Sequence, residues 1–80
     1  TMTVYANNRR IGTGGFAEVW SCERASDGVA FAKKVLSATA KPQVVERFQQ
    51  EVRILAKLDH PNIIKVVDSQ LAAPPLWYVM

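Results

Sequence analysis

From Pro42 to about Leu58 the apolar residues Val44, Phe48, Val52, Leu55 and Leu58 recur at spacings of three and four. Glu46, Gln49, Gln50, Arg53 and Lys57 fall between them, so the segment predicts an amphipathic helix with one buried face. Pro42 suits its first turn, where a missing N–H costs nothing, and Pro61 stops it. The rest of the chain alternates with period two. Val19–Arg24 and Val29–Leu36 read as strands joined by Ala25-Ser26-Asp27-Gly28, where Asp-Gly is a hairpin signal. Val4–Ile11, Ile63–Ser69 and Leu76–Met80 predict three more strands, the last two separated by a turn over Gln70–Pro75. This order gives an α+β domain: a five-stranded, mostly antiparallel sheet with one packed helix and no internal domain boundary.

Composition narrows the classes. The 80 residues are 49% hydrophobic and 21% charged, which suits one small globular domain. Ten Lys and Arg against seven Asp and Glu give +3. The charges are scattered, so they provide no basic groove for nucleic acid, and Trp20, Trp77 and Tyr78 are expected to pack rather than stack on bases. The longest apolar run, Leu76–Met80, is too short to cross a membrane, and Thr1–Arg10 holds no signal-peptide core. Cys22 is the only cysteine. It cannot close an internal disulfide, fits a reducing, cytoplasmic setting, and is expected to be a half-buried strand residue. His60, the only histidine, has no catalytic partner in the sequence and reads as a loop or capping residue.

The chemically specific stretch is Ile11-Gly12-Thr13-Gly14-Gly15-Phe16-Ala17-Glu18-Val19. Glycines in such a turn let backbone N–H groups approach a phosphate without Cβ atoms in the way. A lone G-x-G reads as a bare turn, so its context decides. A Walker loop needs Gly-Lys-Ser/Thr, which is missing. A dinucleotide fingerprint must open a helix, whereas a strand follows here, and about 20 residues on Lys33 and Lys34 stand where a ribose-binding acid is needed. A glycine loop between two antiparallel strands remains.

With that loop, the chain resembles the N-terminal lobe of a protein kinase. Gly12–Val19 is similar to the family's G-x-G-x-x-G-x-V loop, with Ala17 in place of the third glycine. Phe31-Ala32-Lys33-Lys34-Val35-Leu36 is similar to its V-A-I-K strand. Glu51 with Ile54, Leu55 and Leu58 resembles its αC helix, His60-Pro61-Asn62-Ile63-Ile64 the entry to its fourth strand, and Leu76–Met80 its fifth strand up to the hinge.

The resemblance implies an ATP site. Ile11, Gly12, Thr13, Gly14, Gly15, Phe16 and Ala17 would cover the nucleotide, Val19 and Ala32 would sandwich the adenine, and Met80 would stand beside it as gatekeeper. Successive strand side chains point to opposite faces, so only one of the two lysines can face the nucleotide. Lys34 shares a face with the small Ala32 and Ala30 and is selected for the α- and β-phosphates; Lys33 is left as a solvated, edge-protecting charge. Glu51 falls within the helix's apolar stripe, and the resemblance implies that it pairs with Lys34; both are assigned as catalytic. Leu55 and Val66 resemble members of the family's hydrophobic spine.

The implied activity is transfer of the ATP γ-phosphate to a protein Ser or Thr, with ATP and a protein substrate as partners. Magnesium is the implied second cofactor, but H-R-D and D-F-G do not occur in the sequence, so its ligands are expected in a C-terminal lobe and none here. The apolar finish at Leu76–Met80, and Thr1 before Met2, lead to the expectation of a kinase piece cut near the hinge. Such a piece is expected to be inactive alone and to self-associate. A pseudokinase, or an interaction module without nucleotide, is the alternative.

Overall fold

The computed structural model describes residues 3–80. Among them, five strands and one helix follow in the order β1 (Tyr5–Thr13), β2 (Ala17–Arg24), β3 (Ala30–Leu36), α1 (Pro42–Lys57), β4 (Asp68–Gln70) and β5 (Trp77–Val79). The strands form one sheet in the order β1-β2-β3-β5-β4, and every neighbouring pair is antiparallel. The expected α+β architecture is the one observed.

The β2–β3 hairpin closes where Asp-Gly predicts. Gly28 takes φ +71°, a conformation that a Cβ disfavours, and its N–H donates to the Arg24 carbonyl at 2.7 Å. The Arg24 guanidinium grips both Asp27 carboxylate oxygens at 2.9 and 2.6 Å, and Asp27 also accepts from the Val29 N–H. Helix α1 begins at Pro42 and ends one residue before Leu58, which is extended and closes the last turn by donating to the Leu55 carbonyl.

The helix lies on one face of the sheet. Phe48 and Val52 are buried there with Leu36, Leu76 and Tyr78, and Val44, Leu55, Val66 and Met80 pack around them. The Gln49 side chain adds a tie to the Leu71 carbonyl at 2.9 Å. The opposite face carries an aromatic layer of its own: Tyr5 meets Phe31 and Trp77 edge-on, Arg24 lies over Phe31 and Lys33 over Trp77. Cys22 is only 1% exposed, more deeply buried than its sequence position suggests, because it sits in the second strand of the sheet opposite Phe31. That burial pushes its thiol pKa up, which keeps it protonated and unreactive.

Three further expectations change. The strand forecast over Ile63–Ser69 is regular only from Asp68: residues 61–63 turn, and Ile63, Ile64 and Val67 are exposed. Apolar content alone suggested a strand there, but no sheet neighbour reaches the first half of the segment. Val67 makes the first bond to β5, donating to the Val79 carbonyl at 2.9 Å. Leu58 is 43% exposed because it lies past the helix end rather than in the apolar stripe. Lys33 protects no edge: β3 is central in the sheet, and the half-buried ammonium sits 4.6 Å from the Trp77 ring centroid. His60 does act as a loop residue, its Nδ1 accepting from the Asn62 N–H at 3.1 Å.

Candidate functional site

The glycine segment joins two adjacent strands. β1 runs through Gly12 to Thr13, the chain turns over Gly14–Phe16, and β2 leaves from Ala17. The turn is held by the Gly14 N–H donating to the Ala17 carbonyl at 2.8 Å, and the Phe16 carbonyl accepts from Ser37 at the end of β3 at 2.7 Å. Because a strand follows, the loop opens no helix and presents no helix N-terminus; what faces it is its own backbone and one side chain from β3.

That side chain is Lys34. The register sets Gly12 opposite Val19, and Val19 opposite Lys34, so all three share one face of the sheet. Gly12–Ala17, Val19 and Lys34 line a cavity of about 410 Å³. Lys33, one residue earlier, faces the aromatic layer on the other side. The register places Lys34 on the loop side of the sheet and Lys33 on the other, the alternation that period two predicts.

The protein itself makes little demand for glycine here. None of Gly12, Gly14 and Gly15 has positive φ. A Cβ on Gly12 would meet Val19 at 4.0 Å, one on Gly14 would meet the Ala17 carbonyl at 3.8 Å, and one on Gly15 would meet nothing within 4 Å. Neither strain nor packing within the chain calls for glycine at these positions, and the backbone there is left open. Ala17 is also free of positive φ, so replacing the third glycine introduces no strain. Open backbone beside an ammonium is a donor set that fits phosphate oxygens.

Lys34 also lines a second cavity, of about 160 Å³, between the loop and helix α1, together with Phe16, Arg47, Phe48 and Glu51. The expected residue, Glu51, is therefore brought to Lys34, but the ion pair is not formed: the two side chains are not at ion-pair distance. Glu51 is exposed, at the border of the apolar stripe rather than inside it. A solvated carboxylate and a half-buried ammonium lose little by standing apart, while pairing would immobilise two long side chains.

Ala32 and Met80 lie next to one another at the far end of the same face. Ala32 donates to the Met80 carbonyl at 3.0 Å, and Met80 donates to the Ala32 carbonyl at 2.8 Å. Neither lines the loop cavity, and Ile11, 52% exposed, does not either. Among the described residues no group of three or more His, Cys, Asp or Glu could hold a metal ion.

Two residues near Lys34 are not tied to the site by the sequence: Arg47 goes unmentioned, and Tyr78 is read as packing only. Arg47 lies one helical turn before Glu51, and that spacing was a usable signal. Tyr78 is the direct cross-strand neighbour of Lys34 on β5, a placement that depends on a register the sequence does not encode locally.

The protein-family model described as "Protein kinase domain" matches residues 5–80. Among curated proteins, the chain is similar to the Tyrosine-protein kinase transforming protein Fps of Avian sarcoma virus (strain PRCII). The two are 37% identical over 71 residues, which cover 89% of this chain and 13% of that protein. It is also similar to the Serine/threonine-protein kinase ATG1a of Arabidopsis thaliana, 38% identical over 66 residues, covering 81% of this chain and 10% of the relative. The Serine/threonine-protein kinase Pkn1 of Myxococcus xanthus is 39% identical over 74 residues, covering 90% of this chain and 10% of its own length. The chain thus spans only a small part of the curated relatives that it matches.

Proposed function

The chain belongs to the protein kinase family, and from that membership we propose that residues 1–80 form the ATP-binding N-terminal lobe of a kinase that phosphorylates protein Ser or Thr. The observation that carries the reading is the shared cavity of Gly12–Ala17, Val19 and Lys34, with Glu51 beside the lysine. ATP supplies the phosphoryl group. The loop backbone covers its phosphates, and Lys34 holds the α- and β-phosphate oxygens by charge. Glu51 orients Lys34 once helix and loop close together. Ile11, Val19, Ala32 and Met80 form the adenine end. The Ser/Thr assignment draws on two of the relatives named above; the Fps relative carries the name of a tyrosine kinase.

Magnesium and the nucleophile-orienting base belong, in this reading, to a C-terminal lobe. The apolar side chains left open at Ile54, Leu58, Ile63, Ile64 and Val67 support a surface made to be covered by it. The 80 residues alone are then inactive and self-associate through that surface, and the parent kinase acts in the cytoplasm. No described helix is long and apolar enough to cross a membrane.

Gly15→Ala tests the reading with effects of opposite sign. The added methyl meets no atom and no positive φ, so it stabilises the fold by about 0.4–1 kcal/mol through the unfolded chain. It also stands between backbone and phosphate, and ATP affinity falls roughly tenfold, the worth of one hydrogen bond to a charged group. Thermal unfolding and calorimetric titration with ATP measure the two. Unchanged affinity in the stabilised variant contradicts a phosphate cradle at this loop.

A further inference from the structure

Tyr78 is the only side chain of the buried core cluster that carries a polar group. Its ring is 8% exposed and lies tilted on Phe48, with centroids 5.7 Å apart. Among the described residues the hydroxyl has no hydrogen-bond partner, yet no fully buried side-chain oxygen or nitrogen is left without one. The oxygen therefore reaches the edge of the core, where a new partner can meet it. A phenylalanine would fill the same volume, so packing gives the hydroxyl no purpose.

Its surroundings suggest one. The register pairs Tyr78 with Lys34 across β5 and β3, on the face that carries helix α1. Phe48, under the ring, is three residues before Glu51, and side chains at that spacing are neighbours on a helix. Phe48, Glu51 and Lys34 line one cavity. The phenol pKa is raised, first by burial and then by the negative charge of Glu51. A phenol that stays protonated is a donor, an ionised carboxylate is an acceptor only, and a bond between them is charge-assisted.

We infer that Tyr78 is a positioning residue: its hydroxyl donates to the Glu51 carboxylate as α1 closes on the sheet and holds that carboxylate toward Lys34. The inference rests on the reading of Lys34 as the phosphate-binding lysine and adds a third member to the Lys34–Glu51 couple. It accounts for an exposed Glu51 that stands near Lys34 without pairing, because the carboxylate has a second group to be drawn in by.

Two measurements test it. In the chain with 13C-labelled tyrosine, the Tyr78 ring carbon is followed by NMR through the alkaline titration. The midpoint falls in Glu51→Gln if the two groups interact, and an unchanged midpoint overturns the inference. In the full protein, kcat and KM for ATP are measured for Tyr78→Phe, Glu51→Gln and the double variant. Tyr78→Phe lowers kcat/KM roughly tenfold with its unfolding midpoint nearly unchanged, and has no further effect once Glu51 is Gln. Wild-type kinetics in Tyr78→Phe, or losses that simply add, overturn it. Transfer retained by Lys34→Met overturns the reading of Lys34 and with it the positioning role. The NMR coupling between Tyr78 and Glu51 would survive that result, so the two failures are told apart.

Discussion

Lys34→Met, made in the full protein that carries this domain, lowers phosphoryl transfer by about a hundredfold or more and leaves the fold in place. The activity loss follows from removing the one cation among the described residues that lines the loop cavity, in a site where fixed charge on the phosphates is worth roughly two to three powers of ten. The stability side follows from what Lys34 does not do. It is half-buried, and among the described residues its ammonium enters no ion pair. Methionine keeps the aliphatic stem that packs between Val19 and Tyr78, so the change in stability stays within about 0.5 kcal/mol. A kinase assay beside a thermal melt measures both. Lys33→Met is the matched control: it removes the charge over Trp77 and leaves transfer within about twofold of wild type, since a charge on the far face of the sheet has no path to the phosphates. If Lys33→Met is the inactive variant, the face assignment of β3 is wrong.

The second large effect concerns the helix that carries Glu51. Phe48→Ala removes the ring that lies on Tyr78 and fills the space between α1 and the sheet. Emptying such a site costs about 3–5 kcal/mol. A domain of this size has a total stability of only about 5–15 kcal/mol, so a large share of the margin is lost. At about 4–8 °C per kcal/mol the unfolding midpoint drops by more than about 12 °C. Ile54→Ala, on the same helix but 59% exposed, shifts stability by no more than about 0.5 kcal/mol. Calorimetric melts of the two variants separate the buried stripe from the open one. Equal losses contradict the packing described for α1.

What could be read from the sequence is what depends on local spacing. The helix from Pro42, the Asp27-Gly28 hairpin and the glycine turn all rest on residues within a few positions of one another, and all three are present. Period two separated Lys33 from Lys34 before any register was known, and the register agrees. The misses depend on distant partners. Ile63–Val67 is as apolar as a strand, but whether it pairs is decided by where β5 lies. Cys22 is sealed by Phe31 and its aromatic neighbours on the face opposite α1, a layer assembled from β1, β3 and β5. The helical wheel set Glu51 in the apolar stripe, while the structure sets it at the stripe's open border. A wheel gives a residue's angle on the helix and not the distance to the sheet beneath. Tyr78 was seen from the sequence as packing only, because its alignment with Lys34 requires β3 and β5, more than forty residues apart, to meet in one register.

Whether the loop is a phosphate cradle is tested most directly by titrating ATP into the 15N-labelled chain and following each backbone amide by NMR. Amides of Gly12–Ala17, Val19 and Lys34 should shift together and saturate with one affinity, while those around Trp77 on the opposite face stay still. A loop that does not move at saturating ATP, or shifts confined to the aromatic face, would mean that the glycines and Lys34 serve something other than a nucleotide.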